Sequence, residues 1–578
     1  MNETSVPSVD ESWDVIVVGA GAGGLTAACA AALEGRSVLL LEQADVVGGT
    51  TAISGGMVWL PANHKMAAAN RPDSLEAARA YLAATVPGEN RARLEAFLQH
   101  ADEALREIEA RTSVRLQPVL TYPDYYPDLP GATAGGRVLE PVPFDARALG
   151  KAFALVRDPL PEFMLFGGMM ISRADIPHLR RAAKSLRSAA RTARLLLNYG
   201  WQRLTARRGT TLYLGNALVA RLLKSALDAG VTIRTDQSVE RIARDESGRV
   251  SLVETSHGGA RRRLSARCGV ILATGGLSHD AELRRAYTPD SAGELSATVN
   301  AGDAPRGGRL AQGVGASLSA PTRDGAFWVP ASTFTRRDGS SGIFPHTVTD
   351  RAKPGLIAVG ANGQRFVNEA VSYHEFVRAQ LRNANSAIPA WLICDKTFLW
   401  KYGLGKVRPF TLSVEADVAS GYLQRAGTLA GLATAIGVPA QALADTVAEF
   451  NRHAEKGEDP AFGRGGNIYQ RSLGDADHKP NPCVAPLREA PFYAVAVRPA
   501  DLGMSAGIAT DERAQALDSD GAPTPGLFAC GNDMASVMEG AYPGPGITLG
   551  PALVFGWIAG KQAAGASSGM QMNSRATP

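Results

Sequence analysis

Cysteine is scarce in this chain. Only 5 of the 578 residues are cysteine, no two of them form a CxxC pair, and none has a histidine at metal-ligand spacing. The sequence therefore indicates neither a metal centre nor a disulfide framework. Four of the five lie among apolar or small residues, which predicts buried thiols in a reducing cytoplasm. The five cysteines are Cys29, Cys268, Cys394, Cys483 and Cys530.

Strong charge and long apolar runs are also missing. The net charge of +4 is small for 578 residues and argues against nucleic acid as a partner. No apolar run approaches the ~18 residues of a membrane-spanning helix. The first residues, MNETSVPSVDES, lack the pattern of a signal peptide, so we expect a cytoplasmic protein. The length predicts two or three domains.

The stretch Trp13–Gln43 is the most informative in the chain. It reads WDVIVVGAGAGGLTAACAAALEGRSVLLLEQ, which predicts a strand, a glycine turn, a helix and a second strand. Glycines here permit a sharp turn, close approach of a pyrophosphate and helix packing, while an acid about 20 residues on can bind a ribose hydroxyl. A glycine turn in another α/β domain would leave that acid unexplained. We predict a dinucleotide site at Gly19, Gly21, Ala22, Gly23, Gly24 and Glu42.

Further glycine-rich turns complete the predicted cofactor site. The segment VVGGTTAISGGMVWL follows the second strand, a buried strand ends in ATGG, and a late strand ends in GLFACG. Such turns offer backbone donors and room for a flat ring. The expected contacts are Gly49, Thr50, Thr51, Ser54, Gly55, Gly56, Ala273, Thr274, Gly275, Asp303, Gly531, Asn532, Thr548 and Leu549.

Together the first two glycine segments resemble the flavoprotein superfamily of succinate dehydrogenase, soluble fumarate reductases and 3-ketosteroid dehydrogenases. The resemblance implies an α/β fold: a Rossmann-like FAD-binding domain of the fumarate reductase type with an inserted α+β substrate domain. Gly49 takes the place of the histidine that holds FAD covalently in membrane-bound members, so noncovalent FAD is expected. The predicted parts are residues 1–319 with a helical insertion at about 63–208, then 320–490, 491–565 and a flexible tail at 566–578.

Residues Phe153–Arg208 look like an insertion with a basic amphipathic helix near residues 179–194. Basic residues recur there at intervals of four and three, with apolar residues beside them. Three interpretations are open: a solvated outer face, peripheral attachment to an anionic inner-membrane surface, or a protein partner. The basic positions are Arg180, Lys184, Arg187, Arg191 and Arg194.

Chemistry is predicted in the segment Met538–Gly556. Its prolines and glycines form a rigid loop that leads into a helix, so the N–H groups near Gly546 are free to donate. Tyr542 adds a hydroxyl beside them. The alternative is a glycine loop that only packs. Three tyrosines in another loop, Tyr122, Tyr125 and Tyr126, could equally close a surface loop.

These segments resemble the 3-ketosteroid dehydrogenases closely, over nearly the whole chain. The resemblance implies that Tyr542 and the Gly546 N–H bind the 3-keto oxygen. Tyr373, at the end of an Asn-Glu-x-x-x-Tyr run, would take the proton, and Tyr125 would relay it, with Tyr126 as an alternative at that place. The fumarate-reducing relatives carry histidines at a turn where this chain has DLGMSAG, which favours an apolar substrate over a dianion.

The predicted function is FAD-dependent 1,2-desaturation of 3-ketosteroids in bacterial steroid degradation. An external acceptor such as a quinone would reoxidise the flavin, because no second nucleotide or iron–sulfur motif is present. Three alternatives stay open: Δ4-dehydrogenation of 5α-reduced 3-ketosteroids, reduction of an enone or fumarate, and a flavin-containing electron-transfer subunit without its own substrate.

Overall fold

A computed structural model describes residues 9–88, 91–172, 175–182, 184–300, 302–304, 306–348 and 350–565. The tail predicted at 566–578 lies outside these residues. No helix formed by the described residues combines the length and the apolar character needed to span a bilayer.

The first of two large sheets carries the predicted nucleotide unit. Its central strands are parallel and read as continuous apolar runs, since both faces are covered. Across the sheet the order is Gln515–Leu517, Pro523–Ala529, Ala260–Leu272, Glu11–Val18, Val38–Leu41 and Thr232–Arg234, with Val250–His257 and Ser238–Arg244 attached by antiparallel pairing.

Two helices cross closely beside this sheet, Ala22–Leu33 and the closing helix Leu549–Ala563. A Cβ at Gly556 would lie 2.6 Å from the Gly23 carbonyl oxygen, and one at Gly560 would lie 2.4 Å from that of Ala27. Small residues on both helices therefore allow the backbones to touch, and the first glycine turn and the last helix share one end of the sheet.

The second sheet is antiparallel and contains the long strand Phe492–Met504 at its centre. The strand order is Ser341–Pro345, Ala326–Thr335, Phe492–Met504, Ala390–Cys394 and Leu356–Val359, with Gln424–Ala426 paired to the long strand. The predicted boundaries place 491–565 with the cofactor domain, whereas this strand pairs with segments of 320–490. The chain rejoins the first sheet at Gln515–Leu517. The division into domains itself stays a prediction.

The remaining helices lie around the two sheets. The buried strand predicted before the Ala-Thr-Gly-Gly turn is the last part of the long strand Ala260–Leu272. The other helices are Gly49–Ile53, His64–Ala68, Leu75–Thr85, Ala92–Arg111, Leu214–Asp228, Ala281–Tyr287, Gly307–Gln312, Tyr373–Arg382, Ala384–Ala387, Lys396–Tyr402, Glu415–Ala419, Leu429–Ile436, Ala440–Ala454 and Ile468–Leu473. Short strands pair at Val58–Trp59, Leu116–Pro118 and Val138–Pro141, and at Phe144–Asp145 with Thr211–Leu212.

The prediction of one continuous basic helix near 179–194 is wrong. The chain forms a short helix, Ile176–Arg180, and then a separate helix, Leu186–Arg203. Ser185 has an extended backbone, and its hydroxyl accepts a hydrogen bond from the Ser188 N–H at 3.5 Å. It therefore caps the second helix and separates it from the first. The five predicted basic residues therefore do not share one helical face.

Candidate active site

The first glycine turn lies where its spacing predicts. Gly19 has a φ of +103°, and a Cβ on it would lie 2.2 Å from the Ala273 carbonyl oxygen, so the turn presses against the Ala-Thr-Gly-Gly turn. A Cβ on Gly24 would lie 1.9 Å from the Gly19 carbonyl oxygen. Beside Gly21, in contrast, there is no atom within 4 Å of the Cβ position. Gly21 is the N-cap residue of the helix Ala22–Leu33 and has no side chain to cap it.

Glu42 is buried and braces this turn. Its carboxylate accepts hydrogen bonds from the N–H groups of Ala20, at 2.8 Å, and Ala44, at 3.0 Å. Burial raises the pKa of Glu42 above the ordinary value. A carboxylate oxygen can accept more than one hydrogen bond, so these contacts leave capacity for a ribose hydroxyl.

Hydroxyls of the second glycine segment hold the loop together. Thr50 Oγ1 accepts from the Val299 N–H at 3.0 Å, and Thr51 Oγ1 accepts from the Ala22 N–H at 3.2 Å. Ser54 Oγ donates to the Thr51 carbonyl oxygen at 2.8 Å and accepts from the Gly56 N–H at 3.0 Å. Each threonine hydroxyl acts as an acceptor here, so its proton remains available to a cofactor.

Asp533 is a buried acid that the sequence reasoning missed. It accepts from the Thr274 N–H at 2.5 Å, the Thr274 hydroxyl at 2.9 Å and the Gly276 N–H at 2.8 Å. It thereby ties the Ala-Thr-Gly-Gly turn to the Gly531-Asn532 turn. An acid directly after a glycine turn at the end of a buried strand was the available signal.

Asp303 lies on the surface rather than in the cleft. Its side chain is exposed, and its backbone N–H is 3.2 Å from the side-chain amide of Gln43, the residue after Glu42. This placement keeps Asp303 near the adenosine end of the predicted site without a side-chain contact to the other predicted residues.

An open cradle runs between the glycine turns. Apart from chain neighbours, no atom of the described residues lies within 4 Å of the Cβ positions of Gly55, Gly275 and Gly531, and the nearest such atom to that of Gly49 is Gly21 Cα at 4.0 Å. A small cavity continues from there and is lined by Gly531, Asn532, Ile547, Thr548, Phe327 and Phe555, among others. Leu549 begins the closing helix beside it. These turns, free N–H groups and apolar walls fit a dinucleotide with a flat ring.

Three predicted tyrosines meet in one buried cluster. The Tyr373 hydroxyl donates to the Tyr542 hydroxyl at 2.8 Å, and their ring centroids are 5.1 Å apart. The Tyr125 ring stacks on that of Tyr542, with centroids 5.5 Å apart, and lies edge-on to that of Tyr373, with centroids 5.7 Å apart. Phe327, which also lines the cavity, packs edge-on against Tyr542 with ring centroids 5.5 Å apart. Residues about 250 and 170 positions apart in sequence thus share one site next to the cradle.

Tyr125, and not Tyr126, joins this cluster. The Tyr126 hydroxyl instead donates to Glu375 at 2.8 Å. The Tyr125 hydroxyl is buried and makes no well-aligned hydrogen bond among the described residues. It nevertheless lies close enough to the Tyr373 hydroxyl to lower the Tyr373 pKa. Tyr125 also packs at a tilt against Tyr469, a buried tyrosine that the sequence did not suggest, with ring centroids 4.8 Å apart.

Burial acts strongly on the tyrosine pKa values. It is the largest effect on Tyr373 and raises its pKa well above 10, and the donated bond to Tyr542 raises it further. The same burial raises the pKa of Tyr125 and of Tyr542. The apolar packing around Tyr373 therefore penalises a phenolate in the free protein.

The loop that carries Tyr542 is clamped from the other side. The Pro543 carbonyl accepts from the Tyr81 hydroxyl at 2.5 Å and from the Tyr125 N–H at 2.9 Å. Gly546 has a φ of +96°, and its carbonyl accepts from the Trp59 N–H at 3.1 Å. Within the described part of the chain, the Gly546 N–H donates to no acceptor. The clamped loop thus carries both the Tyr542 hydroxyl and the free N–H of Gly546.

The Asn-Glu pair before Tyr373 is structural. Glu369 is fully buried and pairs with Arg365 at 2.7 Å and with Arg464 at 3.1 Å. Asn368 donates to the Phe462 carbonyl at 3.0 Å. These contacts fix the loop that ends at Tyr373, the first residue of its helix.

His374 and Arg351 lie near the tyrosine cluster, and both form hydrogen bonds with backbone groups. His374 accepts from the Trp328 N–H at 3.1 Å through Nδ1, and its ring is 5.6 Å from that of Tyr542. Arg351 is buried and donates to four backbone carbonyls, those of His346, Thr347, Glu369 and Val371, at 2.9 to 3.2 Å. Neither residue was suggested by the sequence reasoning. At the DLGMSAG turn, Asp501 pairs with Arg284.

Comparisons with known proteins agree on the family. The family model described as an FAD binding domain matches residues 14–549. The chain is 40% identical to 4-oxocyclohex-2-ene-1-carboxylate 5-dehydrogenase of Sinomonas cyclohexanicum, covering 95% of this chain and 93% of the relative. It is 34% identical to 3-oxosteroid 1-dehydrogenase of Mycobacterium tuberculosis, covering 95% and 98%.

A solved structure leads to the same family. The 3-ketosteroid Δ1-dehydrogenase of Sterolibacterium denitrificans, in complex with 1,4-androstadiene-3,17-dione, is 37% identical and superposes with a TM-score of 0.89 over 96% of this chain and 100% of that one. The chain is an FAD-dependent oxidoreductase, and it belongs to the flavoprotein family of the 3-oxosteroid 1-dehydrogenases.

Proposed function

We propose that this enzyme removes two hydrogens from adjacent ring carbons next to a ketone, and that its substrate is a 3-ketosteroid desaturated between C1 and C2. The observation that carries the proposal is the 2.8 Å contact between the Tyr373 and Tyr542 hydroxyls beside the cofactor cradle. The unused N–H of Gly546 supplies a second donor on the same loop.

Tyr542 and Gly546 take the role of an oxyanion site. Both donate to the ketone oxygen, so negative charge that develops there is stabilised by about 2.7–4 kcal/mol for each well-placed donor. Their positions do not have to change during the reaction, because Tyr81, Tyr125 and Trp59 clamp the loop.

Tyr373 takes the proton from C2. Its raised pKa keeps it protonated at neutral pH in the free protein, so it must first pass its own proton on. The neighbouring Tyr125 hydroxyl is the proposed relay, because it lies next to Tyr373 and has no competing well-aligned partner among the described residues.

The glycine cradle holds FAD without a covalent link. Gly21 and the start of the helix Ala22–Leu33 receive the pyrophosphate, and Glu42 receives the ribose. Gly49 has no side chain with which to bond the ring. The Gly531-Asn532 and Thr548-Leu549 segments line the ring's end of the cavity. FAD bound there would supply the acceptor for the hydride that leaves C1. An external acceptor of the quinone class is proposed to reoxidise it.

A small keto acid is the second candidate substrate. It is favoured by the 40% identity to the dehydrogenase of 4-oxocyclohex-2-ene-1-carboxylate. A carboxylate in the site would need a cation that is free to pair with it. The arginines nearest the tyrosines are engaged: Arg351 by backbone carbonyls, and Arg378 by Glu375 and Asp324. The lack of a free cation among these residues favours the neutral 3-ketosteroid over the keto acid as the substrate.

Anaerobic mixing of the holoenzyme with each substrate tests the proposal. 4-Androstene-3,17-dione should bleach the flavin absorbance and yield the 1,4-diene, whereas bleaching by 4-oxocyclohex-2-ene-1-carboxylate alone would select the second candidate. With 5α-androstane-3,17-dione, a new double bond at C4 instead of C1 would select Δ4 chemistry. Bleaching by none of these ketones would overturn the proposed dehydrogenation.

A further inference from the structure

The helix Leu186–Arg203 in the insertion packs through its polar side. Gln202 donates to the Thr211 hydroxyl at 2.7 Å and accepts from the Thr210 N–H at 2.8 Å. The Tyr199 hydroxyl donates to the Phe166 carbonyl at 2.9 Å. Ser188 is the one residue of this helix that is buried. A surface helix of a globular protein normally buries its apolar stripe instead.

The apolar side of this helix is turned outward. Leu186, Ala190, Ala193, Leu197, Trp201 and Leu204 follow one another at intervals of three or four residues, and all six are exposed. Leu186 is 91% exposed, Leu197 75%, Trp201 70% and Leu204 74%. Phe166, at the base of the helix, is 68% exposed. We call these six residues and Phe166 the outer apolar stripe. A contiguous exposed patch of large apolar side chains marks an interaction surface.

The charge around the outer apolar stripe has one sign. Residues 180–208 contain nine arginines and lysines and no aspartate or glutamate. On the helix itself, Arg191 pairs with Asp175 at 2.9 Å. No carboxylate of the described residues lies within ion-pairing distance of Arg187, Arg194 or Arg203. Three arginines beside the stripe are therefore available to an anionic surface.

We propose that the outer apolar stripe docks on an anionic lipid bilayer, with the helix lying in the interface. Apolar side chains would enter the boundary between headgroups and acyl chains, Trp201 would lie at the headgroup level, and the free arginines would meet lipid phosphates. An acid-free, cationic rim fits an anionic surface, whereas a second copy of the same helix would bring like charges together. The docking is separate from the proposed dehydrogenation and does not depend on it.

Vesicle co-sedimentation of the FAD-loaded full chain tests this directly. We expect binding to vesicles of phosphatidylcholine with 30% phosphatidylglycerol at least tenfold tighter than to phosphatidylcholine alone, and loss of that difference in 0.5 M salt. The paired substitutions Leu197→Ser with Trp201→Ser, and Arg187→Gln with Arg194→Gln, should each weaken binding at least tenfold. Flavin absorbance and the unfolding temperature check that each variant is folded.

Leu412→Ser is the matched control, because Leu412 is 93% exposed and does not belong to the outer apolar stripe. It should leave binding unchanged. Failure of the wild-type chain to bind anionic vesicles would overturn the proposal, as would equal loss of binding in the Leu412 variant. A lipid-free dimer that the Leu197 and Trp201 substitutions dissociate would also overturn it, since a second copy would then cover the stripe.

Discussion

Replacing Tyr542 by phenylalanine tests the core of the proposed chemistry. The substitution removes one of two donors to the ketone oxygen and keeps the ring that stacks on Tyr125. Loss of one such donor typically lowers the rate by about 10²–10³, or about 2.7–4 kcal/mol. We expect a loss of this size in the rate of anaerobic flavin reduction, measured by stopped flow with saturating ketone.

The same substitution should also move the pH profile. In the free protein, Tyr373 donates to Tyr542, and this bond raises the Tyr373 pKa. Without the acceptor, Tyr373 loses its proton more easily, so the rise in rate with pH should begin at a lower pH in the variant than in the wild type. Tyr373→Phe should abolish turnover with flavin still bound, and adding Tyr542→Phe to it should cost little more.

Tyr126→Phe is the matched control. Tyr126 has the same side chain and is next to Tyr125, but its hydroxyl bonds to Glu375 outside the cluster. Its rate should stay within a few-fold of wild type. A Tyr542→Phe enzyme that loses less than tenfold, or whose pH profile moves upward, would refute the assignment of Tyr542 as a donor to the substrate.

Three further outcomes follow from the packing around the site. Gly546→Ala should slow flavin reduction and lower the unfolding temperature, because a Cβ there would lie 2.6 Å from the Met57 carbonyl oxygen at a φ of +96°. Glu369→Gln should lower the free energy of unfolding in urea by about 3–5 kcal/mol, since it takes the carboxylate partner from the buried Arg464, whereas Arg365 keeps its ion pair with Asp459; a loss under 1 kcal/mol would contradict this. The buried tyrosines hold their protons in the folded state, so above pH ~10 the unfolded state binds fewer protons. The free energy of unfolding should then fall by about 1.4 kcal/mol per pH unit for each such tyrosine, and a flat profile between pH 10 and 11 would contradict their burial.

The sequence alone was sufficient for the cofactor unit. A glycine turn, an apolar strand on each side and the acid at Glu42 are local features, and local backbone geometry requires those residue types at that spacing. The closing helix was also predictable, because its start follows a proline and glycine loop. The resemblance to the 3-ketosteroid dehydrogenases added the tyrosines, which no periodicity singles out.

Tertiary structure alone decided which groups meet. Tyr125, Tyr373 and Tyr542 come from three distant segments, and only packing separates Tyr125 in the cluster from Tyr126 on Glu375. The bracing roles of Asp533 and Glu369 depend on partners far away in sequence, so no local pattern reveals them. The periodic pattern of the insertion located its apolar residues, but the cap at Ser185 and the polar contacts of Gln202 determined that the helix breaks and that its apolar side faces outward. Spacing along a chain determines which residues share a helical face. Whether that face packs inward or is exposed depends on the tertiary contacts that the rest of the molecule makes with the helix.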